Sequence, residues 1–369
     1  MKVISLFSGC GGLDLGFKWA GLDIIFANDI EEDACKTYKK YIGEHVKVGD
    51  INHFIEELPS ADIVVGGPPC QSFSLSGKRL ENDPRGELVF SYYKAVKKVN
   101  PSLFLMENVP GLIASKINGE KLVDYLNKEY KKIGYITKIL KIDASDYFVP
   151  QRRKRVFMIG MKKDINLNLD NAKNKISALL GLPIETKITV HDALGDLPEI
   201  MKKNKKETLL EYHNGSTPNS YSKFMRQNVG NFITFHNMPT MSEKDKAFIK
   251  YIPPGGNYTN IPDKISTQRI MNFKRTGGRT TTYGRLHPEF PAYTINTYFN
   301  RPNVGANYHY REERLITVRE AMRLQSFPDD FEPVFSNQRS LHMQVGNAVP
   351  PLLGWVLAES IKEILETTL

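Results

Sequence analysis

The stretch KVISLFSGCGGLDLGFKWAGLDIIFAND, residues 2–29, decides the fold class of the chain. Lys2–Phe7 and Leu22–Ala27 are apolar runs that predict two strands, and Leu13–Ala20 between them reads as a helix that Gly21 ends. A strand, a helix and a second strand in this order form a βαβ unit, whose strands lie parallel in one sheet. The stretch therefore predicts an α/β fold with an open, mostly parallel sheet.

A glycine-rich turn, Ser8-Gly9-Cys10-Gly11-Gly12, joins the first predicted strand to the helix. Its glycines let a ligand approach the main chain closely, at the positive N-terminus of the helix. Asp29 follows Gly9 by 20 residues, the interval at which an acidic side chain meets ribose hydroxyls. The turn departs from the GxGxxG pattern, which favours a nucleoside ligand that lacks a diphosphate. An ordinary tight turn is the alternative.

The stretch VVGGPPCQSFS, residues 64–74, places a thiol next to this edge of the sheet. Asp62–Val65 is a short β-branched run that predicts a buried strand, and the glycines and prolines after it end that strand. Cys70 therefore follows the carboxyl end of a parallel strand, where open α/β sheets bind ligands. A cysteine on such a loop is a candidate nucleophile, whereas most free cysteines are small buried hydrophobic residues.

Two further predicted strands deliver acidic residues to the same edge: Val46–Val48 ends close to Asp50, and Leu103–Met106 ends directly before Glu107. A single acidic residue after a strand is usually a turn or cap residue. The functional weight therefore rests on the series formed by Asp29, Asp50, Cys70 and Glu107.

A basic block stands directly before another predicted strand, Val156–Met161. In an extended segment, the alternation of Gln151, Arg153 and Arg155 puts these three side chains on one face. We expect them to project together towards the site or an anion. A solvated strand edge is the usual explanation of a lone charge run.

Composition bounds the remaining possibilities. The chain has 369 residues, 41% of them hydrophobic and 25% charged, which favours a globular protein of two domains. A net charge of +9 favours an anionic partner such as nucleic acid. Three cysteines cannot form a disulfide framework, and without a CxxC pair we expect no metal. No apolar run approaches the roughly 20 residues that a membrane span needs.

From about residue 165 to residue 338 the alternation of strands and helices is lost. Between Arg269 and Arg314, seven Arg and one Lys stand against three Glu. The aromatic residues interleaved with them include Tyr283, Tyr293, Tyr298, Phe299, Tyr308 and Tyr310. Cations mixed with aromatic residues are what a phosphate backbone and exposed bases contact. A basic domain whose aromatic residues fill its own small core is the alternative.

With these residues placed, the sequence resembles the DNA (cytosine-5) methyltransferases of bacterial restriction–modification systems. The resemblance covers most of the chain and rests on eight blocks in the order of that family. The blocks are FSGCGG (Phe7–Gly12), Asn28-Asp29, GDI (Gly49–Ile51), GGPPCQSFS (Gly66–Ser74), ENV (Glu107–Val109), QxRxR (Gln151–Arg155), RxxTxREAxRLQxFPDDF (Arg314–Phe331) and QVGNAVPP (Gln344–Pro351).

The resemblance implies the Rossmann-like α/β sheet of the S-adenosylmethionine-dependent methyltransferases, with a second, smaller and irregular target-recognition domain. We expect the catalytic, cofactor-binding domain to comprise residues 1–185 and 341–369, closed by the C-terminal helix. The target-recognition domain is then expected over residues 186–340.

The resemblance also implies the reaction. The Cys70 thiolate adds to C6 of a cytosine flipped out of the duplex, and C5 then takes the methyl group of S-adenosyl-L-methionine, leaving S-adenosyl-L-homocysteine. Glu107 contacts the N3 edge of the base in its protonated form, which burial would favour. Arg153 and Arg155 hold the base and support the site.

The resemblance assigns the remaining site residues by position. The expected contacts of the methyl donor are Phe7, Gly9, Cys10, Gly12, Asp29, Ile30, Asp50, Ile51, Pro69, Leu88, Asn347 and Ala348. The expected contacts of DNA are Gln71, Ser72, Arg275, Arg279, Arg285 and Arg301. Two positions depart from the family: Ile30 offers a smaller face than the usual bulky residue, and Ala348 stands where serine is frequent.

The implied partner is double-stranded DNA, and the implied protein is a monomer in the prokaryotic cytoplasm, bound to the nucleoid through DNA and to no membrane. A cognate restriction endonuclease, against which methylation would protect host DNA, is the partner that the resemblance suggests.

Three alternatives stay open. An RNA or tRNA cytosine-5 methyltransferase shares the scaffold but usually carries a threonine-bearing variant of the segment after Cys70. A non-catalytic DNA-binding protein would be expected to lose Cys70, Glu107 or the arginines, and a nicotinamide enzyme is disfavoured by the missing GxGxxG.

Overall fold

The computed structural model describes residues 1–69, 84–117, 119–164, 166–200, 210–212 and 218–367, with the backbone alone for residues 84–87. The chain divides into two compact units. Unit 1 comprises Met1–Asp143, Lys154–Lys175 and Leu353–Leu369, and unit 2 comprises Ala144–Arg153 and Ile176–Leu352. The predicted nucleophile Cys70 and the predicted DNA contacts Gln71 and Ser72 lie outside the described residues.

Strands and helices alternate through the first half of the chain and give way to short elements in the second. The first half contains β1 (Lys2–Leu6), α1 (Gly12–Trp19), β2 (Asp23–Asp29), α2 (Glu32–Tyr41), β3 (Val46–Val48), β4 (Ile63–Gly66), α3 (Pro84–Val99), β5 (Leu103–Asn108), β6 (Lys116–Ile117), β7 (Glu120–Lys121), α4 (Leu122–Lys132), β8 (Ile136–Asp143), β9 (Gln151–Arg152), β10 (Lys154–Met161) and α5 (Leu169–Leu180). The second half contains α6 (Val190–Leu194), β11 (Leu210–Glu211), α7 (Ser220–Met225), β12 (Phe232–Ile233), α8 (Glu243–Ile249), α9 (Gln268–Thr276), β13 (Ala292–Tyr293), α10 (Val318–Leu324), α11 (Gln338–Asn347) and α12 (Pro351–Glu366).

The sheet of unit 1 has the described strand order β3-β2-β1-β4-β5-β10-β8. The five neighbouring strands β3, β2, β1, β4 and β5 are parallel to one another. Strand β10 is antiparallel to both of its neighbours, β5 and β8. The order reverses between β1 and β4, and the crevice at the carboxyl ends of such a switch point is where open α/β sheets bind ligands. The predicted α/β class with a mostly parallel, Rossmann-like sheet is confirmed.

The register between β5 and β10 determines which residues meet at this edge. Phe157 pairs with Glu107 and Val156 pairs with Asn108. Because the two strands are antiparallel, the first residues of β10 lie beside the last residues of β5. Arg155, one residue before Val156, therefore reaches the edge at which the parallel strands end.

The core of unit 1 packs α3 and α4 onto one face of the sheet. Phe104 of β5 stacks on Tyr130 of α4 with their ring centroids 4.1 Å apart, and both side chains are fully buried. Truncating such a buried aromatic residue to alanine costs about 3–5 kcal/mol. This packing fixes β5, and with it the position of Glu107.

The C-terminal helix α12 was expected to dock back on the first sheet, and it packs within unit 1 against α1. Trp355 meets Trp19 edge to face at 5.5 Å between ring centroids. A Cβ at Gly354 would lie 2.6 Å from the carbonyl oxygen of Leu13, so only glycine allows the helices to approach this closely.

Unit 2 consists of short helices and two-residue strands around a core of its own. That core contains Phe248, Ile249, Ile252, Tyr258, Ile261, Ile270, Tyr283, Tyr308 and Leu315. Unit 2 was expected to be the smaller domain, but it spans slightly more residues than unit 1. Its bounds also differ from the predicted ones, because residues 144–153, 176–185 and 341–352 belong to unit 2.

One local prediction about unit 2 is wrong. The glycines and prolines of residues 344–351 indicate a turn, but Gln344–Asn347 form the last turn of α11. Glycine is required inside this helix, because a Cβ at Gly346 would lie 2.5 Å from main-chain atoms of Asn296 and Thr297. In the described part of the chain, none of the helices is long and apolar enough to cross a membrane.

Candidate active site

The loop after β1 opens a space beside an acidic side chain. Phe7, Gly9 and Gly11 all have positive φ angles, of 55°, 55° and 87°. A left-handed conformation is uncommon for phenylalanine, and such outliers cluster at functional sites. A Cβ placed on Gly9 would meet nothing within 4 Å, so open space lies next to this main chain.

Asp29 at the end of β2 faces that loop. Its Oδ2 accepts a hydrogen bond from the N–H of Gly9 at 2.7 Å, and its Oδ1 accepts one from the N–H of Glu31 at 2.9 Å. Burial raises the pKa of the Asp29 carboxyl, and the two N–H donors oppose that rise. Ile30, the next residue, exposes 69% of its surface and offers an uncovered apolar face.

Asp50 caps a short 3-10 helix over Ile51–His53. Its Oδ1 accepts hydrogen bonds from the main-chain and side-chain nitrogens of Asn52, both at 2.9 Å. The Ser91 hydroxyl of α3 donates to Asn52 Oδ1 at 2.8 Å and ties this turn to α3, which also carries the half-buried Leu88. Asp50 therefore has the cap role weighed above, at the edge where a ligand would lie.

Beneath the glycine loop lies a buried acidic residue that the sequence analysis did not single out. Asp14 on α1 is 1% exposed, and its Oδ1 accepts a hydrogen bond from the Ser5 hydroxyl at 2.8 Å. Burial raises its pKa to about 6, while hydrogen bonds from Ser5 and Tyr38 act in the opposite direction. The Tyr38 ring packs under Gly11, where a Cβ would lie 3.1 Å away. The signal in the sequence was an acid enclosed by leucines.

Both described cysteines are buried and poorly suited to attack. Burial raises the pKa of Cys10 and of Cys35 to about 12 in each case. The thiolate is the nucleophilic form, so these two thiols are inert at neutral pH. Cys10 is predicted to line the donor site, and a buried thiol can do so as a small apolar surface.

The loop that leads to Cys70 is held by its neighbours at the end of β4. A Cβ at Gly66 would lie 2.5 Å from the carbonyl oxygen of Leu6, and one at Gly67 would lie 2.9 Å from Glu107 Oε2. The amide of Asn108 donates to the carbonyl oxygen of Pro68 at 3.0 Å. Asn108 therefore holds the main chain two residues before Cys70, the predicted nucleophile, a role that the sequence analysis missed.

Glu107 and Arg155 form an ion pair at this edge. Arg155 Nε lies 2.8 Å from Glu107 Oε1, and the two side chains are 13% and 15% exposed. The structure thus brings together two of the predicted catalytic residues, Glu107 and Arg155.

The predicted group of Gln151, Arg153 and Arg155 is divided between the two units. Gln151 and Arg153 are buried in unit 2, where both bind main-chain groups and Gln151 also binds the side chain of Gln325. Arg153 donates to the carbonyl oxygens of Ile295 at 3.0 Å, Gly346 at 2.9 Å and Asn347 at 3.3 Å. Arg153 belongs to unit 2 and Arg155 to unit 1, because the chain passes from unit 2 to unit 1 after Arg153.

The predicted donor contacts Asn347 and Ala348 lie at the end of α11 in unit 2, where Arg153 holds the main chain of Asn347. Of the other predicted donor contacts, Gly12 begins α1, Ile51 is buried, and Pro69 is half-buried on the loop after β4.

Among the predicted DNA contacts, Arg285 binds the main chain of its own unit. Its Nε, Nη1 and Nη2 donate to the carbonyl oxygens of His309, Ile252 and Arg311 at 3.0, 2.9 and 3.1 Å. The guanidinium therefore supports the fold of unit 2. Arg275 and Arg279 are exposed, and the Arg301 guanidinium lies over the Tyr298 ring at 4.9 Å.

The aromatic residues of the basic stretch divide between core and surface. Tyr283, Phe299, Tyr308 and Tyr310 are buried, which the alternative of a basic domain with its own core predicts. Tyr293 and Tyr298 are 42% and 45% exposed. Composition alone could not separate the two sets.

One group of side chains in unit 2 has the spacing of a metal site but binds an arginine. Ligand atoms of His309, Glu312 and Glu320 lie within 4.8 Å of one another. Arg314 donates to Glu312 at 2.6 and 3.0 Å and to Glu320 at 2.7 and 2.8 Å. Burial lowers the pKa of His309 to about 4, so this cluster is an ion-pair network around a neutral imidazole.

Comparison with known proteins identifies the family. The family of C-5 cytosine-specific DNA methylases matches residues 1–363. The type II methyltransferase M.NgoPII of Neisseria gonorrhoeae is 35% identical over 99% of this chain and 96% of its own. M.MthTI of Methanothermobacter thermautotrophicus is 34% identical over 100% of this chain and 99% of its own.

Solved structures agree with the sequence relatives. A protein described as a DNA modification methyltransferase encoded within an E. coli prophage is 27% identical, with a TM-score of 0.71 and 99% of both chains covered. The S. pombe Dnmt2 methyltransferase shares the fold, with a TM-score of 0.58 at 16% identity and 99% of both chains covered. From these matches and the site geometry, the chain belongs to the C-5 cytosine-specific DNA methylase family and is a DNA cytosine-5 methyltransferase of the restriction–modification type.

Proposed function

We propose that this protein methylates one cytosine within a specific DNA sequence through a covalent adduct of Cys70 with C6 of the base. The observation that carries the proposal is the Glu107–Arg155 ion pair at the carboxyl end of β5. It stands beside the Gly66–Pro69 loop, whose next residue is Cys70. The inert Cys10 and Cys35 leave Cys70 as the remaining thiol of the chain.

The residues of unit 1 fit a nucleoside donor. When bound, S-adenosyl-L-methionine supplies the methyl group as an electrophile. Asp29 can accept from ribose hydroxyls, because each oxygen that already accepts one main-chain hydrogen bond keeps a further lone pair. The open space at Gly9 leaves room beside that carboxylate, and Ile30 offers an apolar face to a flat ring.

The chain's own residues carry the reaction on the base. The Cys70 thiolate forms a bond to C6, electron density moves to C5, and C5 accepts the methyl group. A base then removes the C5 proton, and the electrons of that bond expel Cys70 from C6. An enzyme cannot reach C5 and C6 of a cytosine that is stacked inside the duplex. The target nucleotide must therefore be flipped out of the helix before these steps.

Glu107 is the proposed contact of the cytosine N3 edge, and Arg155 orients it. To donate a hydrogen bond to N3, the Glu107 carboxyl must carry a proton when the cytosine is bound. We propose that unit 2 supplies sequence recognition and that the product protects DNA from an endonuclease of the same specificity. The relatives named above are type II methyltransferases, which supports this role.

The decisive experiment is bisulfite sequencing of plasmid DNA incubated with the purified protein and S-adenosyl-L-methionine. Protected cytosines in one recurring sequence would support the proposal and define the site. Cys70→Ser should abolish protection, whereas Cys35→Ala, a matched removal of a buried thiol, should retain it. Turnover by Cys70→Ser at a large fraction of wild type would reject the nucleophile. Methylation of RNA without methylation of DNA would reject DNA as the substrate in favour of RNA.

A further inference from the structure

Unit 2 contains a segment whose main chain is held from both sides while its outer side chains remain exposed. This clamped segment comprises residues 292–301. Its first residues pair in parallel with β9, Ala292 with Gln151 and Tyr293 with Arg152. The Thr294 hydroxyl donates to the carbonyl oxygen of Arg152 at 2.8 Å.

Ile295 is gripped through both of its main-chain groups. Its N–H donates to Gln151 Oε1 at 2.8 Å, and its carbonyl oxygen accepts from Arg153 Nη1 at 3.0 Å. Gln151 is anchored in turn, because its Nε2 donates to the carbonyl oxygen of Leu324 and to Gln325 Oε1 at 3.1 and 2.8 Å. Two fully buried side chains thus both bind the main chain of Ile295.

The far end of the clamped segment is equally constrained. Gly346 of α11 packs directly on the main chain of Asn296 and Thr297. Asn296 Oδ1 accepts from the N–H of Tyr298 at 2.7 Å, and the Asn307 amide donates to the carbonyl oxygen of Arg301 at 2.7 Å. A loop this constrained loses little conformational entropy when it binds a partner.

The segment displays two aromatic–cation pairs. The Arg152 guanidinium lies 4.7 Å from the centre of the Tyr293 ring, and the Arg301 guanidinium lies 4.9 Å from that of Tyr298. Both rings are exposed, and in the described part of the chain neither guanidinium forms an ion pair or donates a hydrogen bond. Stacking orients the planar cation and leaves its N–H edges available, the geometry that suits a phosphate.

We propose that Arg152 and Arg301 bind phosphates of duplex DNA, that Tyr293 and Tyr298 orient them, and that Gln151 and Arg153 are positioning residues for this contact. The proposal rests on the proposed function, because it takes DNA as the ligand of unit 2. It assigns Arg153, which was expected to hold the reacting cytosine, to the element that holds the DNA, together with Gln151. Phosphate contacts fix register without reading sequence, so the recognition sequence should not change when they are lost.

The contact residues are tested by fluorescence anisotropy on duplex DNA that contains the methylated site, from about 50 to 200 mM salt. Arg152→Gln and Arg301→Gln should each weaken binding several-fold and lower the slope of log affinity against log salt by about 1. Arg339→Gln is the matched control, because it removes one exposed charge from unit 2 outside the segment. The DNA affinity of Tyr298→Ala is compared with that of Tyr251→Ala, which removes an equally exposed tyrosine ring outside the clamped segment.

The positioning role is tested by a double-mutant cycle. Arg153→Met should raise the KM for DNA more than it lowers kcat, and Arg153→Lys should recover part of the loss. With the clamp broken, adding Arg301→Gln should cost less affinity than it does in the wild type, because the pair is no longer held in place. Additive effects of Arg153→Met and Arg301→Gln, in proteins that remain folded by circular dichroism, would reject positioning and leave a structural role.

The outcomes separate the two proposals. Wild-type protein that neither binds nor methylates DNA would overturn the proposed function. Wild-type protein that methylates DNA, with Arg152→Gln and Arg301→Gln matching Arg339→Gln in affinity and salt slope, would overturn this inference alone. A changed methylation sequence in Arg301→Gln would also overturn it, because that result makes Arg301 a base contact.

Discussion

Asp14→Asn should change how the stability of unit 1 depends on pH. The Asp14 carboxyl is buried under the glycine loop, and its pKa is raised from an ordinary 3.8 to about 6. The folded protein therefore binds this proton more tightly than the unfolded chain does. Stability from this group is fully present below about pH 4 and is lost as pH rises through about 6. Asparagine has a similar shape, can accept from Ser5, and does not ionise.

The size of the effect follows from the shift. One pKa unit corresponds to about 1.4 kcal/mol, so ionising Asp14 in the folded state costs about 3 kcal/mol more than in the unfolded chain. Relative to wild type, Asp14→Asn should gain about 3 kcal/mol of unfolding free energy between about pH 4 and pH 8. Most of the gain should fall below about pH 6.

Tryptophan fluorescence during urea unfolding is a suitable assay, because the chain has 2 tryptophans, Trp19 and Trp355, and both lie in unit 1. The signal therefore follows unit 1 without averaging over unit 2. Asp124→Asn, an exposed carboxyl on α4, is the control and should show no comparable trend. A stability difference between Asp14→Asn and wild type that stays constant with pH would refute the reasoning.

Three further variants test other parts of the structure. Gly346→Ala should destabilise unit 2 by about 1–3 kcal/mol in calorimetry, because its Cβ would press on main chain 2.5 Å away, and an unchanged transition would contradict that close contact. Arg155→Gln should lower kcat on the order of a hundredfold in a tritiated methyl-transfer assay while donor affinity stays near wild type; equal losses in both would show a folding defect. Arg285→Met should lower the thermal stability of unit 2 by about 1–3 kcal/mol through three lost hydrogen bonds, and DNA affinity should be retained below the transition; weaker binding by folded protein would restore Arg285 as a DNA contact.

The sheet was predictable because parallel strands covered on both faces read as nearly continuous apolar runs. Ile63–Gly66 and the buried part of β1 follow that rule, and their observed bounds lie within a residue or two of the predicted ones. The strand predicted to end at Met106 continues through Glu107 and Asn108. A strand can continue through polar residues after its apolar run has stopped. A prediction based on apolar runs therefore makes the strands that end in polar site residues too short.

The placement of charged side chains was less predictable. A count of arginines treats Arg285 and Arg301 alike, although one binds its own main chain and the other stacks on an exposed ring. Gly346 looked like a turn residue, because its low helix propensity is local while the main chain packed against it is distant in sequence. The bonds of Arg285 and the packing of Gly346 on Asn296 join residues that no local pattern links. The bonds of Arg153 to Ile295 and Gly346 join residues more than a hundred apart.

The three-piece composition of unit 1 has a consequence for synthesis. Its last piece, Leu353–Leu369, leaves the ribosome only after the whole of unit 2 has been made. Until then the surface of α1 that packs against Gly354 and Trp355 lacks these contacts, and unit 1 cannot complete its folding. A chain broken anywhere after residue 175 would thus release an incomplete unit 1, so premature termination should yield fragments marked for proteolysis instead of a free methyl-transfer domain.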